Sequence, residues 1–283
     1  MKIGFVGAGR VGCSMGKYFT EQGQEYGMEV TGYYSPTPEH AVWAASFTKS
    51  SVFQTLEELV RASDTLFIAT VDSAIEAVWD YIAKMPVQGK IIGHFSGSLS
   101  VDVFHGIGAA GAYGCSVHPM FAFADRESAY KNLDQVHFTM EGDRHALCVL
   151  KDYFQKLGNP VHMIRTEDKV RYHAAASMVS NQVIGLVEMG LDLLEQSGFS
   201  REEGATLLAP LMKNNMDAVV QDGCEHALTG PVERNDVKTV AAHLSCLTGE
   251  AKSAYTATAY RLVGLAQQKH PDADYSKMKA LLS

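Results

Sequence analysis

The sequence predicts an α/β fold, a doubly wound parallel sheet followed by an all-helical second domain. Three observations predict it. At the start of the chain an apolar strand, residues 1–6, runs into Gly7-Ala8-Gly9-Arg10-Val11-Gly12 and then into a helical stretch, residues 13–19. Up to about residue 165, near-continuous apolar strands alternate with helix-spaced segments. Strands of that kind are buried on both faces, as parallel sheets require. Beyond residue 165 no strand signal appears and long helical segments take over.

The elements follow in order. After the first strand, Gly7 allows a tight turn, Gly9 lets a ligand approach the backbone, and Gly12 lets the helix pack on the strand. The helix start offers unpaired N–H groups and a positive dipole end. With a strand before it and a helix after it, this G-x-G-x-x-G reads as the pyrophosphate cradle of a Rossmann dinucleotide-binding domain. Residues 30–34 read as the second strand, 55–62 as a short helix and 65–70 as a strand. Residues 73–84 carry helical spacing in Ile75, Val78, Trp79 and Ile82. Strands follow over 90–95 and 112–117, the latter ending on His118-Pro119. Residues 136–140, 143–157 and 161–164 complete the first domain, 1–165. The second, 166–283, reads as helices over 166–196, 201–221, 237–247 and 251–268. No Pro/Ser-rich linker separates them, so the domains are expected to abut with the ligand between them.

Composition excludes several classes. The 283 residues are 46% hydrophobic, yet no apolar run reaches the ~18 residues of a membrane span. Net charge is −8 and there is no Lys/Arg block, which argues against nucleic acid. The first strand leaves no room for a signal peptide, and a cytoplasmic location is expected. The five cysteines are scattered and match no zinc spacing, so free thiols and no metal site are expected. Cys13 could be acidified at a helix start, but a structural role is the simpler reading.

The second strand ends on Gly32-Tyr33-Tyr34-Ser35-Pro36-Thr37, without the acid that binds an NAD ribose. Ser35 and Thr37 can donate to a 2′-phosphate, and Arg10 can add charge, so NADP is favoured with NAD as the alternative. Ser35 and Thr37 also suit a plain turn. Thr70, at the end of the 65–70 strand, joins them as a cofactor contact.

Ligands in such sheets bind beyond the carboxyl ends of the strands. Asp72 or Ser73 reads as a helix cap there, and Ser98 as another. Ser96 follows the 90–95 strand, where a hydroxyl can meet nicotinamide or substrate. His118 either donates a proton, with an unperturbed pKa of about 6.5, or orders its loop. His173, Ser177 and Asn181 are spaced i, i+4, i+8 on one stripe. A polar stripe is costly to bury unpartnered, so it faces a polar cleft or bonds another helix. Further on come Thr229, Arg234, Asp236, Thr239 and His243. Arg234 is either a carboxylate anchor or a surface residue, and Asp236 reads as a helix cap.

Taken together, Gly7-x-Gly9-x-x-Gly12, Ser96-Gly97, His118-Pro119-Met120, Tyr172-His173-Ala174-Ala175-Ala176 with Ser180-Asn181, and Leu228-Thr229-Gly230-Pro231 with Arg234 and Asp236 resemble one group. It is the uncharacterised bacterial oxidoreductases with a Rossmann-like N-terminal domain and a helical C-terminal domain of unknown function. The group belongs to the 6-phosphogluconate-dehydrogenase-like superfamily. Its relatives include ketopantoate reductase, pyrroline-5-carboxylate reductase, prephenate dehydrogenase and F420-dependent NADP oxidoreductase. The resemblance implies an NADP-binding domain, a helical domain that forms a homodimer, and a cleft between the two. The β-hydroxyacid dehydrogenases and ketopantoate reductase of this superfamily carry a Lys-x-x-x-Asn pair. Here His173-x-x-x-Ser177 and Ser177-x-x-x-Asn181 stand in its place, with no lysine in register.

The expected function is hydride transfer between NADP(H) and a small carbonyl or imine acid in the interdomain cleft. His118 or His173 is the expected proton donor, with Ser96 and Asn181 positioning the reacting group. Ser177, Thr229 and Arg234 are expected to bind substrate. A dinucleotide-binding sensor without turnover is the alternative.

Overall fold

The computed structural model describes residues 1–283. Strand β1 (Lys2–Val6) lies inside an eight-stranded sheet of order β3-β2-β1-β4-β5-β6-β7-β8. The other strands are β2 (Glu29–Tyr34), β3 (Ser51–Val52), β4 (Thr65–Ile68), β5 (Ile91–His94), β6 (Tyr113–Pro119), β7 (Phe138–Gly142) and β8 (Val161–Met163). The order reverses between β1 and β4, the place where such sheets bind nucleotides.

Helices α1 (Arg10–Gln22), α2 (Pro38–Thr48) and α5 (Arg144–Lys156) cover one face, over a core that includes Phe5, Phe19, Tyr33, Phe67 and Phe154. Helices α3 (Leu56–Ala62) and α4 (Asp72–Ile82) cover the other, over Leu59, Ile68, Ile75, Trp79 and Ile92. Helix α3 starts at a capping box, with Thr55 and Glu58 each satisfying the other's backbone N–H. Trp79 is fully buried and its Nε1 donates to His105 O at 2.9 Å, so its one polar atom is satisfied. Truncating Phe19 or Trp79 to alanine would cost about 3–5 kcal/mol.

One strand departs from the expected parallel sheet. β7 runs antiparallel to β6. Residues 120–137 between them hold one 3₁₀ segment, Ala129–Gln135, and no α-helix to cross back over the sheet. β7 and β8, joined through α5, are parallel again.

The chain forms two compact units, Met1–Ser177 and Met178–Ser283. The division falls inside α6 (Lys169–Val179), later than the expected boundary at 165/166. The first turn of α6 belongs to the sheet because Lys169 and Tyr172 hydrogen-bond Ser116 and His118 of β6. The helix expected over 166–196 is broken. A 3₁₀ turn spans Thr166–Asp168, α6 ends at Val179, and α7 (Asn181–Gln196) restarts after the non-helical Ser180. Ser180 Oγ donates to Asn181 Oδ1 at 3.2 Å, the kind of local polar bond that competes with a helix. The His173–Ser177–Asn181 stripe is therefore not continuous.

In the second unit α8 (Arg201–Ala227) pairs with α7, and Gly223, at φ 80°, interrupts it close to the expected end at 221. Helices α9 (Val237–Cys246), α10 (Gly249–Lys269) and α11 (Ser276–Leu281) enclose Val240, Val263, Tyr275 and Met278. Asp236 caps α9 as expected, accepting from Thr239 N at 3.0 Å. No helix is long and apolar enough to cross a membrane.

Candidate active site

The glycine turn follows β1, and its glycines differ in what requires them. Gly7 has φ 102°, and a Cβ there would lie 2.7 Å from Ala69 O. Gly12 packs so closely that a Cβ would lie 2.8 Å from Gly7 O. Both are required by the protein itself. Gly9 is not. Its backbone is extended, φ −79° and ψ −172°, and a Cβ would find nothing nearer than Ala69 O at 3.9 Å. The bare backbone at Gly9 leaves space for something outside the chain. It lies beside the free amides at the start of α1, which suits a pyrophosphate. This is the test a dinucleotide must pass here, and the residues present fit it.

Around the turn, Ala8 is buried, Val11 half-buried and Arg10 exposed. Ser35 Oγ accepts from Thr37 N at 3.3 Å in a local turn, and Thr37 stands exposed at the start of α2. Thr70 is half-buried, with its amide packed on Gly7. Cys13 is buried and donates to Ala8 O at 3.2 Å. Burial pushes its thiol up to about 11, so it is no nucleophile.

A second cluster forms beyond β5 and β6, on the same carboxyl edge of the sheet. Its floor is Gly97. A Cβ built there would lie 2.7 Å from His118 Nε2, and 2.5 and 3.0 Å from His173 Cδ2 and Nε2. The two imidazoles therefore converge over a residue that must have no side chain. Their rings are nearly perpendicular, 6.1 Å apart. His94 secures the loop beneath. Its Nδ1 accepts from Ser96 N at 3.2 Å, which leaves Nε2 to donate to Ser100 O at 3.2 Å. Ser96 Oγ and Ser98 Oγ both donate to Asp72 Oδ2, at 2.7 and 2.9 Å. Asp72 and Ser98 are thus loop clamps rather than the expected helix caps. Residue Val71 takes the cap position of α4 without a side-chain bond, and Ser100 caps the 3₁₀ turn that follows Ser98.

The electrostatics are set by a residue that the sequence reading passed over. Lys169, at the first position of α6, is 1% exposed. Its Nζ donates to Ser116 Oγ at 2.5 Å, and it forms no ion pair. Burial lowers it to about 8, against the opposing pull of Glu141 and Asp72. Glu141 is itself buried, accepting from Val101 N and Thr166 Oγ1 at 2.9 Å each. His118 is depressed to about 3, first by burial, then by the charges of Lys169 and His173. At neutral pH it is an uncharged imidazole and not the imidazolium its ordinary value allows. Its Nδ1 is 2.8 Å from Tyr172 OH. When Tyr172 donates, the ring proton sits on Nε2 and faces Gly97. His94 is held down at about 4, chiefly by burial.

The first unit thus brings Ser96, His118 and His173 together. Ser177 is half-buried at the end of that unit; Asn181, Thr229 and Arg234 lie exposed in the second. Tyr172 and Lys169 were the residues missed. Lys169 precedes His173 by four residues, and that Lys-x-x-x-His spacing on one helix face was the available signal. No group of three or more His, Cys, Asp or Glu side chains is arranged to hold a metal ion.

Fold and cluster together define a Rossmann-type dinucleotide-binding protein with a helical C-terminal part. Residues 2–92 match the family model described as NADP oxidoreductase, coenzyme F420-dependent. Residues 136–262 match DUF2520, a domain of unknown function. No curated protein matches the chain. Among solved structures the chain is similar to protein TM1727 from Thermotoga maritima, at 25% identity and TM-score 0.74, covering 94% of this chain and 99% of that one. It is similar to BF3122 from Bacteroides fragilis, described as a candidate NADP oxidoreductase, at 20% identity and TM-score 0.73, covering 93% and 98%. Plasmodium falciparum pyrroline carboxylate reductase with NADP bound shares the fold at 16% identity and TM-score 0.60, over 100% and 98%. NADP is the cofactor named both by the N-terminal family model and by the Plasmodium structure.

Proposed function

We propose that the protein is an NADPH-dependent reductase of a small carbonyl or imine acid, of the ketopantoate-reductase or pyrroline-carboxylate-reductase type. The observation that carries this reading is the convergence of His118 and His173 over Gly97, backed by the buried Lys169 charge. Bound NADPH supplies the hydride. The reduced carbon's oxygen or nitrogen gains negative charge as that hydride arrives, and needs one proton. Neutral His118 donates a hydrogen bond to it from Nε2, a role that uncharged imidazole can fill at a carbonyl being polarised. His173 delivers the proton from its facing edge, and the Lys169 ammonium stabilises the charge meanwhile. Ser96 serves by holding the Gly97 loop in place, its hydroxyl donating to Asp72 and accepting from Leu99 N. Ser177, Asn181, Thr229 and Arg234 enter as substrate contacts, Arg234 as the carboxylate anchor.

The helical unit is proposed to form a homodimer. Helix α7 buries none of its residues and α8 only Gly204, while Ile184 is 68% and Val220 85% exposed. Apolar helix faces of that kind call for a partner, and a second copy is the simplest one. Sedimentation of the protein and of Val220→Glu tests this, with a dimer expected for the first and a monomer for the second.

A screen of 2-keto acids and cyclic imino acids, following NADPH absorbance, tests the activity. Turnover in one class is expected. An enzyme that binds NADPH yet reduces neither class would overturn the assignment.

A further inference from the structure

The turn after β2 carries Ser35 and Thr37 but no arginine of its own. A cation reaches this side of the domain from a distant segment. Arg126 lies in the connection between β6 and β7, and its guanidinium sits 3.9 Å from the centroid of the Trp43 ring. Trp43 is on α2, the helix that begins at the Ser35–Thr37 turn, about 8 Å further along at 1.5 Å per residue. The same connection is pinned again one turn on. Phe47 stacks on Trp43 at 4.9 Å and meets Tyr130 edge-on at 5.7 Å. Phe121 and Phe123 of the connection also pack against the core.

Arg126 is half-buried and forms no ion pair with any carboxylate. Neighbouring Asp125 is occupied by Ser128, whose N and Oγ donate to it at 2.8 and 2.6 Å. Contact with an indole uses the face of the guanidinium and leaves its edge N–H groups available. Those donors form the planar fork that matches a phosphate. An arginine with no carboxylate partner, stacked on the helix that starts at the Ser35–Thr37 turn, has its edge donors free for an anion.

We propose that Arg126 recognises the 2′-phosphate of NADP(H), reaching it from the β6–β7 connection while Ser35 and Thr37 hold the same group from the other side. The proposal rests on the dinucleotide reading of the first unit. It makes the β6–β7 connection a determinant of cofactor choice, far in sequence from the glycine turn.

Isothermal titration calorimetry with NADPH, NADH and 2′,5′-ADP tests it, on the full chain and on Arg126→Ala and Arg126→Gln. Both variants are expected to lose about 10- to 100-fold in affinity for NADPH and 2′,5′-ADP, the range for a charge-assisted phosphate contact. NADH affinity is expected to stay within about twofold, which also shows that the variants fold. Equal losses for NADPH and NADH, or no loss for either, would overturn the proposal. An unaltered chain that binds neither dinucleotide overturns the dinucleotide reading and this inference together.

Discussion

The Lys169 ammonium donates to Ser116 Oγ at 2.5 Å, joining the first turn of α6 to the middle of β6. That contact brings a positive charge into the interior beside His118, and the charge helps keep His118 neutral. Burial is the larger cause of His118's neutrality and the lysine adds to it, while burial lowers the lysine's own proton affinity into the working range.

The first prediction concerns pH. His118 and His94 stay uncharged above about 4, and Lys169 loses its proton near 8. In the direction of reduction, kcat should fall as pH rises through about 8. Lys169→Met should remove that limb and cost roughly 10²-fold in kcat. The same group affects stability. Its folded value, about 8, lies below its ordinary 10.5, so the unfolded chain binds more proton in that window. Its contribution to stability therefore rises from pH 8 to 10.5, and is least below pH 8, where the buried ammonium is fully charged. Urea titrations of both proteins across this range should show the slope in the unaltered protein and its loss in Lys169→Met.

Tyr172→Phe should release His118 Nδ1 from its 2.8 Å partner. The ring is then free to place its proton on either nitrogen. A fall of roughly 10-fold in kcat with little change in KM is expected. Nitrogen-15 NMR of the His118 ring provides a second readout. A dominant Nε2–H form should give way to a mixture, and an unchanged spectrum would remove Tyr172 from the site.

Gly97→Ala places a methyl carbon 2.7 Å from His118 Nε2 and 2.5 Å from His173 Cδ2. One or both imidazoles must move. A shift of about 1 Å at reacting groups can cost 10²-fold, and a loss of that order in kcat is expected. Circular dichroism should be unchanged, because the clash is with two side chains at the sheet edge.

Gly9→Ala and Gly12→Ala should separate binding from folding. The methyl at position 9 meets nothing in the protein within 3.9 Å, so thermal stability should hold. Dinucleotide affinity should fall sharply, because the methyl fills the space above the helix start. The methyl at position 12 meets Gly7 O at 2.8 Å and should destabilise the protein by about 1–3 kcal/mol. If Gly9→Ala binds NADPH as well as the unaltered protein does, the cradle is not where the pyrophosphate sits.

Much of the fold was legible because it depends on local patterns. The apolar strand entering Gly7-Ala8-Gly9, the capping residue Asp236, and the loss of strand signal after residue 165 are all properties of short windows. Helix α2 was overlooked, since the paired prolines at 36 and 38 read as a turn, although proline at the first helical position favours a helix. The antiparallel β7 escaped notice because strand direction depends on what crosses the sheet, not on the strand itself. In the cluster over Gly97, His118, His173 and Ser96 stood out in the sequence from their places after strands or on a helix face. Lys169 was not, since a lysine at a helix start usually faces water.

By itself the sequence determined the class of the protein. A strand, a glycine turn and a helix specify a dinucleotide cradle through backbone conformation and helix-end amides alone, and the acid-free end of β2 tilts that cradle toward NADP. Only the tertiary structure decided the chemistry of the second cluster. Neutral His118 and buried Lys169 depend on residues 51 and 53 positions apart in the chain, and outside that cluster the stacking of Arg126 on Trp43 spans 83. Proton affinity and charge pairing follow from desolvation and distance, and both exist only once the sheet has brought those segments together.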